Sequence, residues 1–378
     1  MYESDVLLVF GARPQFIKSA PVIREIIRRH RRIRLTIIHS GQHYDPEMSD
    51  IFFSELKIPK PILNLLAGSG SHARQTATIM KRLEGPILNV RPKILVVPGD
   101  TNTTLAASLT SAKLNIPVAH IEAGLRSGDM TMPEEVNRTL TDHCSTLLFA
   151  PTMTAVRNLE NEGLGKRTTL TGDTMVDALQ PMISVVRRKE NALLEKFKLD
   201  AQNYVLVTLH RPSNVDNLKR LGEIWRALNA VAKKLRVVFL VHPRTRKCLA
   251  ELGAKGRFRE SGITLNRPQG YIETLALLKN ASCLLTDSGG MQKESFLLRV
   301  PCITLRSTTE WPETLAGNAN QLTTRPDAIP GLILGVAFNE SPRKAMKRLK
   351  NPFGDGHASV KIADLIEDAV SQKRPASP

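Results

Sequence analysis

Four carboxylates and two guanidinium groups crowd one short stretch, HIEAGLRSGDMTMPEEVNR, from His120 to Arg138. Glu122, Asp129, Glu134 and Glu135 are residue types that move protons as general acids and bases. Arg126 and Arg138 are types that set a carboxylate's charge or hold a phosphate. Most of them also have a plainer assignment. Thr131-Met132-Pro133-Glu134 fits a capping box, with Thr131 at the N-cap and Glu134 three residues on. Pro133 suits a first helical turn, and Glu134 and Arg138 have the four-residue spacing of a helix-face ion pair. Asp129 and Glu135 read as loop and helix-surface residues. Glu122 resists such an assignment, because it follows apolar strand residues and precedes Ala-Gly.

Other reactive residues share this strand-end placement. Asp100 in PGDTNTT, His210 in TLHRPSN and His242 in LVHP each follow an apolar run. Asp100 by itself reads better as a helix cap. His210 and His242 suit acid/base or phosphate contacts, and equally a structural histidine; position does not choose. Ser288-Gly289-Gly290 in TDSGGMQKES opens a helix after a strand. Glycine there would let a phosphate approach the backbone, and the helix N-terminus would offer N–H groups and a positive dipole end. An ordinary strand-to-helix turn with Ser288 as N-cap is the simpler alternative. Arg13, after the Gly of GARP, could reach a pyrophosphate.

The elements that position these residues follow from periodicity. DVLLVF, RLTIIHSG, KILVVPGD, VAHIEAG and TLLFAPT are continuous apolar strands, with amphipathic helices such as SAPVIREIIRRH and NTTLAASLTSAKLN between them. That alternation predicts a parallel sheet covered on both faces. It restarts at YVLVTLH and continues through RVVFLVHP, CLLTDSGG and PCITLRS, with helices LKRLGEIWRALNAVAKKL and YIETLALLKNA between. The fold class is therefore α/β, two Rossmann-like doubly wound domains, with ligand expected in a cleft at the carboxyl ends of both sheets. VKIADLIEDAV reads as a closing helix and SQKRPASP as a frayed tail.

Composition narrows the classes. Hydrophobic residues make up 42% of 378 positions but aromatics only 4%, so the cores must be aliphatic. No apolar run reaches the ~18 residues of a membrane span, and MYESDVLLVFGARP lacks a signal peptide's basic start. A cytoplasmic protein is expected. Cys144, Cys248, Cys283 and Cys302 are too far apart for a Cys-x-x-Cys site and read as reduced thiols. The net charge of +17 is scattered over helix faces without interleaved aromatics. It fits a phosphorylated small ligand better than nucleic acid.

In order along the chain, GARPQFIKSAPVI, GQHYD, GDTNTTLAASL, HIEAGLRS, MPEEVNRTLTDH, LFAPT, TLHRPSN, LTDSGGMQKES and PCITLR resemble the non-hydrolysing UDP-N-acetylglucosamine 2-epimerases. Each motif is weak alone; together they cover roughly residues 5 to 316, nearly the whole chain. The resemblance implies a glycosyltransferase-B type fold. On that resemblance, residues 1–172 would form the first domain, 173–356 the UDP-binding second, and a helix over about 357–378 would pack back on the first. It implies interconversion of UDP-GlcNAc and UDP-ManNAc with no metal and no other cofactor. UDP leaves, a carboxylate removes the C2 proton to give 2-acetamidoglucal, and UDP adds back with a proton delivered to the opposite face.

Carried over residue by residue, Asp100, Glu122 and Glu134 would be the acid/base set, with His210 stabilising the leaving phosphate. Arg13 and the Ser288-Gly289-Gly290 turn would hold the pyrophosphate, and Glu294 the ribose. Lys18, Arg138 and His242 would complete the substrate contacts. Gln42, Gln75 and Arg211 are candidates for an activator site taking a second UDP-GlcNAc, and a homodimer is expected. Three departures stand out: the loop over 127–133 is shorter than usual, Thr274 replaces an aromatic and Trp311 an arginine. Uridine contacts and activator control are therefore expected to differ. The alternatives are an epimerase of a related sugar such as UDP-2,3-diacetamido-glucuronate, a hydrolysing epimerase, and a UDP-sugar glycosyltransferase.

Overall fold

In the first half, the strands that carry the reactive motifs at their ends are Val6–Phe10, Leu35–His39, Ile94–Pro98 and Val118–Ile121 of one sheet. The computed structural model describes residues 4–29, 33–42, 56–254, 262–339 and 341–371. The expected tail beyond Ser371 lies outside them. The chain forms two compact units, residues 1–180 with 352–378, and residues 181–351.

The first unit carries seven parallel strands. They are β1 (Val6–Phe10), β2 (Leu35–His39), β3 (Leu63–Asn64), β4 (Ile94–Pro98), β5 (Val118–Ile121), β6 (Leu147–Ala150) and β7 (Thr168–Leu170). Their order is β3-β2-β1-β4-β5-β6-β7. Chain direction across the sheet reverses between β1 and β4, so the loops after those strands part and leave a crevice at their carboxyl ends. All five residues of β1 and of β4 are buried. Apart from Phe10 and Pro98 they are aliphatic, and burying one such side chain contributes about 1.5–3 kcal/mol.

Helices cover the sheet: α1 (Arg13–Arg28), α2 (His72–Val90), α3 (Asn102–Lys113), α4 (Pro133–Cys144) and α5 (Met153–Asn161). Thr101 caps α3 by accepting the Thr104 N–H, and Ser71 caps α2 by accepting from Arg74. The long α6 (Thr174–Phe197) carries the boundary between the units. The closing helix, Ala358–Ser371, belongs to the first unit. Asp177 accepts from the backbone N–H groups of Ala358 and Ser359, while Asp364 and Glu367 pair with Arg29.

The second unit repeats the plan with six parallel strands: β8 (Tyr204–Thr208), β9 (Arg236–Leu240), β10 (Ile263–Asn266), β11 (Cys283–Thr286), β12 (Cys302–Thr304) and β13 (Asn320–Leu322). The order is β10-β9-β8-β11-β12-β13, so its switch point lies between β8 and β11. Val205 and Val207 of β8 and Val237 and Phe239 of β9 share one core cluster with Ile224 and Leu228, from the helix Leu218–Ala232. Among the described residues, no helix is long and apolar enough to cross a membrane.

Candidate active site

In the first unit, the β5 turn presents Glu122 and the β4 turn presents Asp100. Glu122 is buried and has φ +68°, a left-handed conformation that costs a non-glycine residue about 1–3 kcal/mol unless its surroundings hold it. The Lys18 ammonium, reaching from α1, forms an ion pair with Glu122 Oε2. Burial pushes Lys18 toward its neutral form, but Glu122, Asp100 and Asp173 outweigh this and keep its pKa above the ordinary lysine value.

Asp100 is paired as well. Arg138 Nη2 lies 2.5 Å from Asp100 Oδ2 and its Nη1 pairs with Glu135, although the Arg138 side chain is only 1% exposed. Asn137 Nδ2 donates to the Asp100 carbonyl at 3.0 Å. So Asp100 is not the cap of α3; that place goes to Thr101.

The start of α4 corrects three expectations. Its N-cap is Met132, which caps without a side-chain bond, so Thr131 does not form a capping box. Thr131 donates to Asp129 Oδ1 instead, through both N–H and hydroxyl. The third residue of the helix is thus Glu135, not Glu134. Glu135 is a buried anchor, not a surface residue: it accepts from Ser127 N–H, Ser127 Oγ and Gly128 N–H at 2.9 Å. The helix-face ion pair expected between Glu134 and Arg138 forms between Glu135 and Arg138. Burial raises the pKa of Glu135, but those N–H donors and Arg138 outweigh it and hold the carboxyl below its usual value. Glu134 stands half-buried at the same helix start.

Sequence reasoning missed the buried pair behind these turns. His120 Nδ1 lies 2.7 Å from Asp142 Oδ1, and its Nε2 donates to the Gly99 carbonyl at 2.7 Å. Asp142 Oδ2 accepts from Gly124 N–H and Arg126 Nη1, and Arg126 continues to Glu162. Burial raises Asp142, yet His120 and Arg126 outweigh it and hold the carboxylate ionised. One pair of side chains thereby ties the Asp100 turn to the Glu122 turn. The available signal was a histidine inside an apolar strand, which position alone could not interpret. Gly124 has φ +81°, and a Cβ there would strike the Ala155 carbonyl, so this turn admits only glycine.

Gln42 and Gln75 come together over the start of α3. Gln42 accepts from Thr103 N–H and Oγ1, and Gln75 accepts from Asn102 Nδ2 at 2.8 Å. Gln75 also lines an open cavity of about 580 Å³ with Ser69, Gly70, Ser71 and Arg74. The backbone of Arg13 opens α1, where Gln15 Oε1 accepts the Gly11 and Ala12 N–H groups. The Arg13 side chain lies outside the described residues.

In the second unit, His210 follows β8 and His242 follows β9, their ring centroids 5.7 Å apart. His210 Nδ1 is 3.1 Å from Oδ1 of the buried Asp287, just past β11. Arg211 N–H donates to Asp287 Oδ2 and its Nε to the Asp287 carbonyl. Ser288 is the N-cap residue of the helix Gly289–Leu297 but makes no side-chain cap there. That leaves the first-turn N–H groups without the side-chain acceptor that a capping serine supplies. At Gly289, a Cβ would collide with the Glu310 carboxylate; at Gly290 it would meet nothing. Glu294 is buried in the same helix. Trp311 is 2% exposed and lies under the Lys293 ammonium, 3.8 Å from ring centroid to Nζ. Thr274 is half-buried, its hydroxyl donating to the Gly270 carbonyl at 2.8 Å.

The family model for UDP-N-acetylglucosamine 2-epimerase matches residues 25–367. The chain belongs to the UDP-N-acetylglucosamine 2-epimerase family. It is 42% identical over 365 residues to UDP-N-acetylglucosamine 2-epimerase of Methanocaldococcus jannaschii, covering 95% of this chain and 98% of the relative. It is 40% identical over 365 residues to UDP-2,3-diacetamido-2,3-dideoxy-D-glucuronate 2-epimerase of Pseudomonas aeruginosa, covering 96% and 99%. Among solved structures, the M. jannaschii UDP-GlcNAc 2-epimerase in complex with UDP-GlcNAc and UDP superposes with a TM-score of 0.87. That pair shares 41% identity, covering 96% of this chain and 99% of the other. An epimerase of this family is an isomerase. The fold class expected from the alternating strands, two parallel α/β sheets, agrees with these relatives.

Proposed function

We propose that this epimerase interconverts UDP-GlcNAc and UDP-ManNAc by eliminating UDP to 2-acetamidoglucal and adding it back. The observation that carries the proposal is the pair of ion-paired carboxylates on adjacent strand ends, Glu122 with Lys18 and Asp100 with Arg138. The C2 proton of the sugar is not adjacent to a carbonyl, so a base cannot remove it from the intact substrate. Departure of UDP builds positive charge at C1, which acidifies C2–H. Inversion then needs proton carriers on both faces of the glucal, and we assign these to Asp100, Glu122 and Glu134. Lys18 and Arg138 hold these two carboxylates in place by ion pairs from α1 and α4.

The uncapped turn at Ser288-Gly289-Gly290, with Arg13, is assigned to the pyrophosphate, Glu294 to the ribose, and His210 with His242 to the departing phosphate. Gln42 and Gln75, with Arg211, are assigned to a second UDP-GlcNAc that activates the enzyme. A cytoplasmic homodimer is the expected form.

The test is incubation with UDP-GlcNAc alone in deuterated water. UDP-ManNAc bearing deuterium at C2 is the expected product. Unchanged substrate until an acceptor is supplied would identify a glycosyltransferase instead, and free ManNAc with UDP a hydrolysing epimerase. The near-equal identity to the P. aeruginosa relative supports a second reading. Running UDP-2,3-diacetamido-glucuronate beside UDP-GlcNAc decides between them by kcat/KM.

A further inference from the structure

Asp287 lies at the switch point of the second sheet, where the loops after β8 and β11 part. It is fully buried, and its carboxylate accepts four donors: His210 N–H, Arg211 N–H, Asn214 Nδ2 and His210 Nδ1. Two carboxylate oxygens offer about four lone-pair sites, so the group is saturated. Every one of these four donors comes from the segment His210–Asn214. The loop carrying His210 is therefore fastened at both its backbone and its ring.

We propose that Asp287 is a positioning residue for His210, fixing the hydrogen on Nδ1 and reserving Nε2 for the departing phosphate. A carboxylate with no hydrogen of its own can only accept, so the ring nitrogen 3.1 Å away must be the donor. His210 is then held in one tautomer and one ring orientation. Nε2 is the nitrogen left to donate to, or exchange a proton with, an oxygen of leaving UDP. The same division of labour orients the histidine of a serine-protease triad, where amide replacement of the buried aspartate imposes the wrong tautomer and costs about 10⁴-fold in kcat. The ring of His242, 5.7 Å away, lies on the same loop cluster. The inference rests on the proposed departure of UDP, but its structural core can be tested without turnover.

The experiment labels histidines with nitrogen-15 and assigns His210 by comparison with His210→Gln. In the wild-type protein, Nδ1 of His210 is expected to carry the hydrogen. In Asp287→Asn, an amide facing the ring donates instead, and the hydrogen is expected to move to Nε2. With it, kcat for epimerisation should fall about 10²–10³-fold, while KM for the UDP-sugar changes less than threefold. A wild-type ring protonated on Nε2 alone would overturn the proposal even if the variant failed to fold. An unchanged tautomer in Asp287→Asn would overturn it too, as would loss of UDP-sugar affinity with kcat retained, the signature of a mere loop anchor. Absence of epimerisation by the wild type would refute the proposed function, and the nitrogen-15 result would still decide the role of Asp287.

Discussion

Lys18→Met tests the buried pair at the heart of the first unit. The side chains of Lys18 and Glu122 are 13% and 1% exposed, so methionine removes the cation and leaves a carboxylate with almost no water. Stranding one partner of a buried pair costs about 3–5 kcal/mol. Glu122 can relieve that cost by taking a proton. From an ordinary pKa of about 4.3, protonation costs about 3.7 kcal/mol at pH 7 and about 1 kcal/mol at pH 5. The sign follows: a carboxyl whose folded pKa is raised weakens the fold above its unfolded pKa, increasingly as pH rises. Lys18 in the parent remains charged throughout, since its pKa lies above the ordinary lysine value. The variant's deficit should therefore grow from about 1 kcal/mol at pH 5 to 3–4 kcal/mol at pH 7, at about 1.4 kcal/mol per pH unit.

Both tryptophans, Trp225 and Trp311, lie in the second unit, so their fluorescence is the wrong probe. Amide hydrogen exchange in β1 and β4 reads the first unit directly. The double variant Lys18→Met/Glu122→Gln should lose the pH slope and regain at least half of the deficit at pH 7. A deficit independent of pH, or a double variant no better than the single, would refute the reasoning.

Two further outcomes follow from burial. His39 packs against Phe10 and Phe16 and accepts the Gly41 N–H at Nδ1, which requires a neutral ring. Burial, opposed by Asn64, lowers its pKa to about 4. The stability it contributes is present above the unfolded value and lost as pH falls from about 6.5 toward 4, up to about 3 kcal/mol. His39→Gln should remove that part of the acid slope in hydrogen exchange of the first unit, and an unchanged slope would count against it. Cys283 and Cys302 are buried, and burial pushes both thiols up, Cys302 to about 12. A thiol reagent on the native protein should label Cys144 and Cys248 only, with all four reacting in denaturant by mass spectrometry; four rapid native labels would contradict it.

The order of elements was legible because it is local. Continuous apolar runs separated by amphipathic segments are enough to specify parallel strands buried on both faces, and the reactive residues sit at strand ends because chain reversal needs polar, small residues there. Helices lying between the motifs were less legible. α2 and the long α6 carry an internal proline each, Pro86 and Pro181, which interrupts the pattern by which a helix is recognised.

By itself the sequence determined two α/β halves, the list of candidate groups, and the ordered motifs that tie the chain to its family. Tertiary structure decided which candidates meet. Lys18 and Glu122 are 104 residues apart, and the order β1-β4-β5 is what brings α1 to the β5 turn. The structure also chose between neighbours. With Met132 rather than Thr131 as the N-cap of α4, the third helical residue is Glu135, and the loop N–H groups of Ser127 and Gly128 draw that carboxylate inward. A one-residue shift in helix start rotates the face by about 100°, and spacing alone cannot set that phase. The donors that set it belong to a loop whose path is fixed only when the whole unit folds.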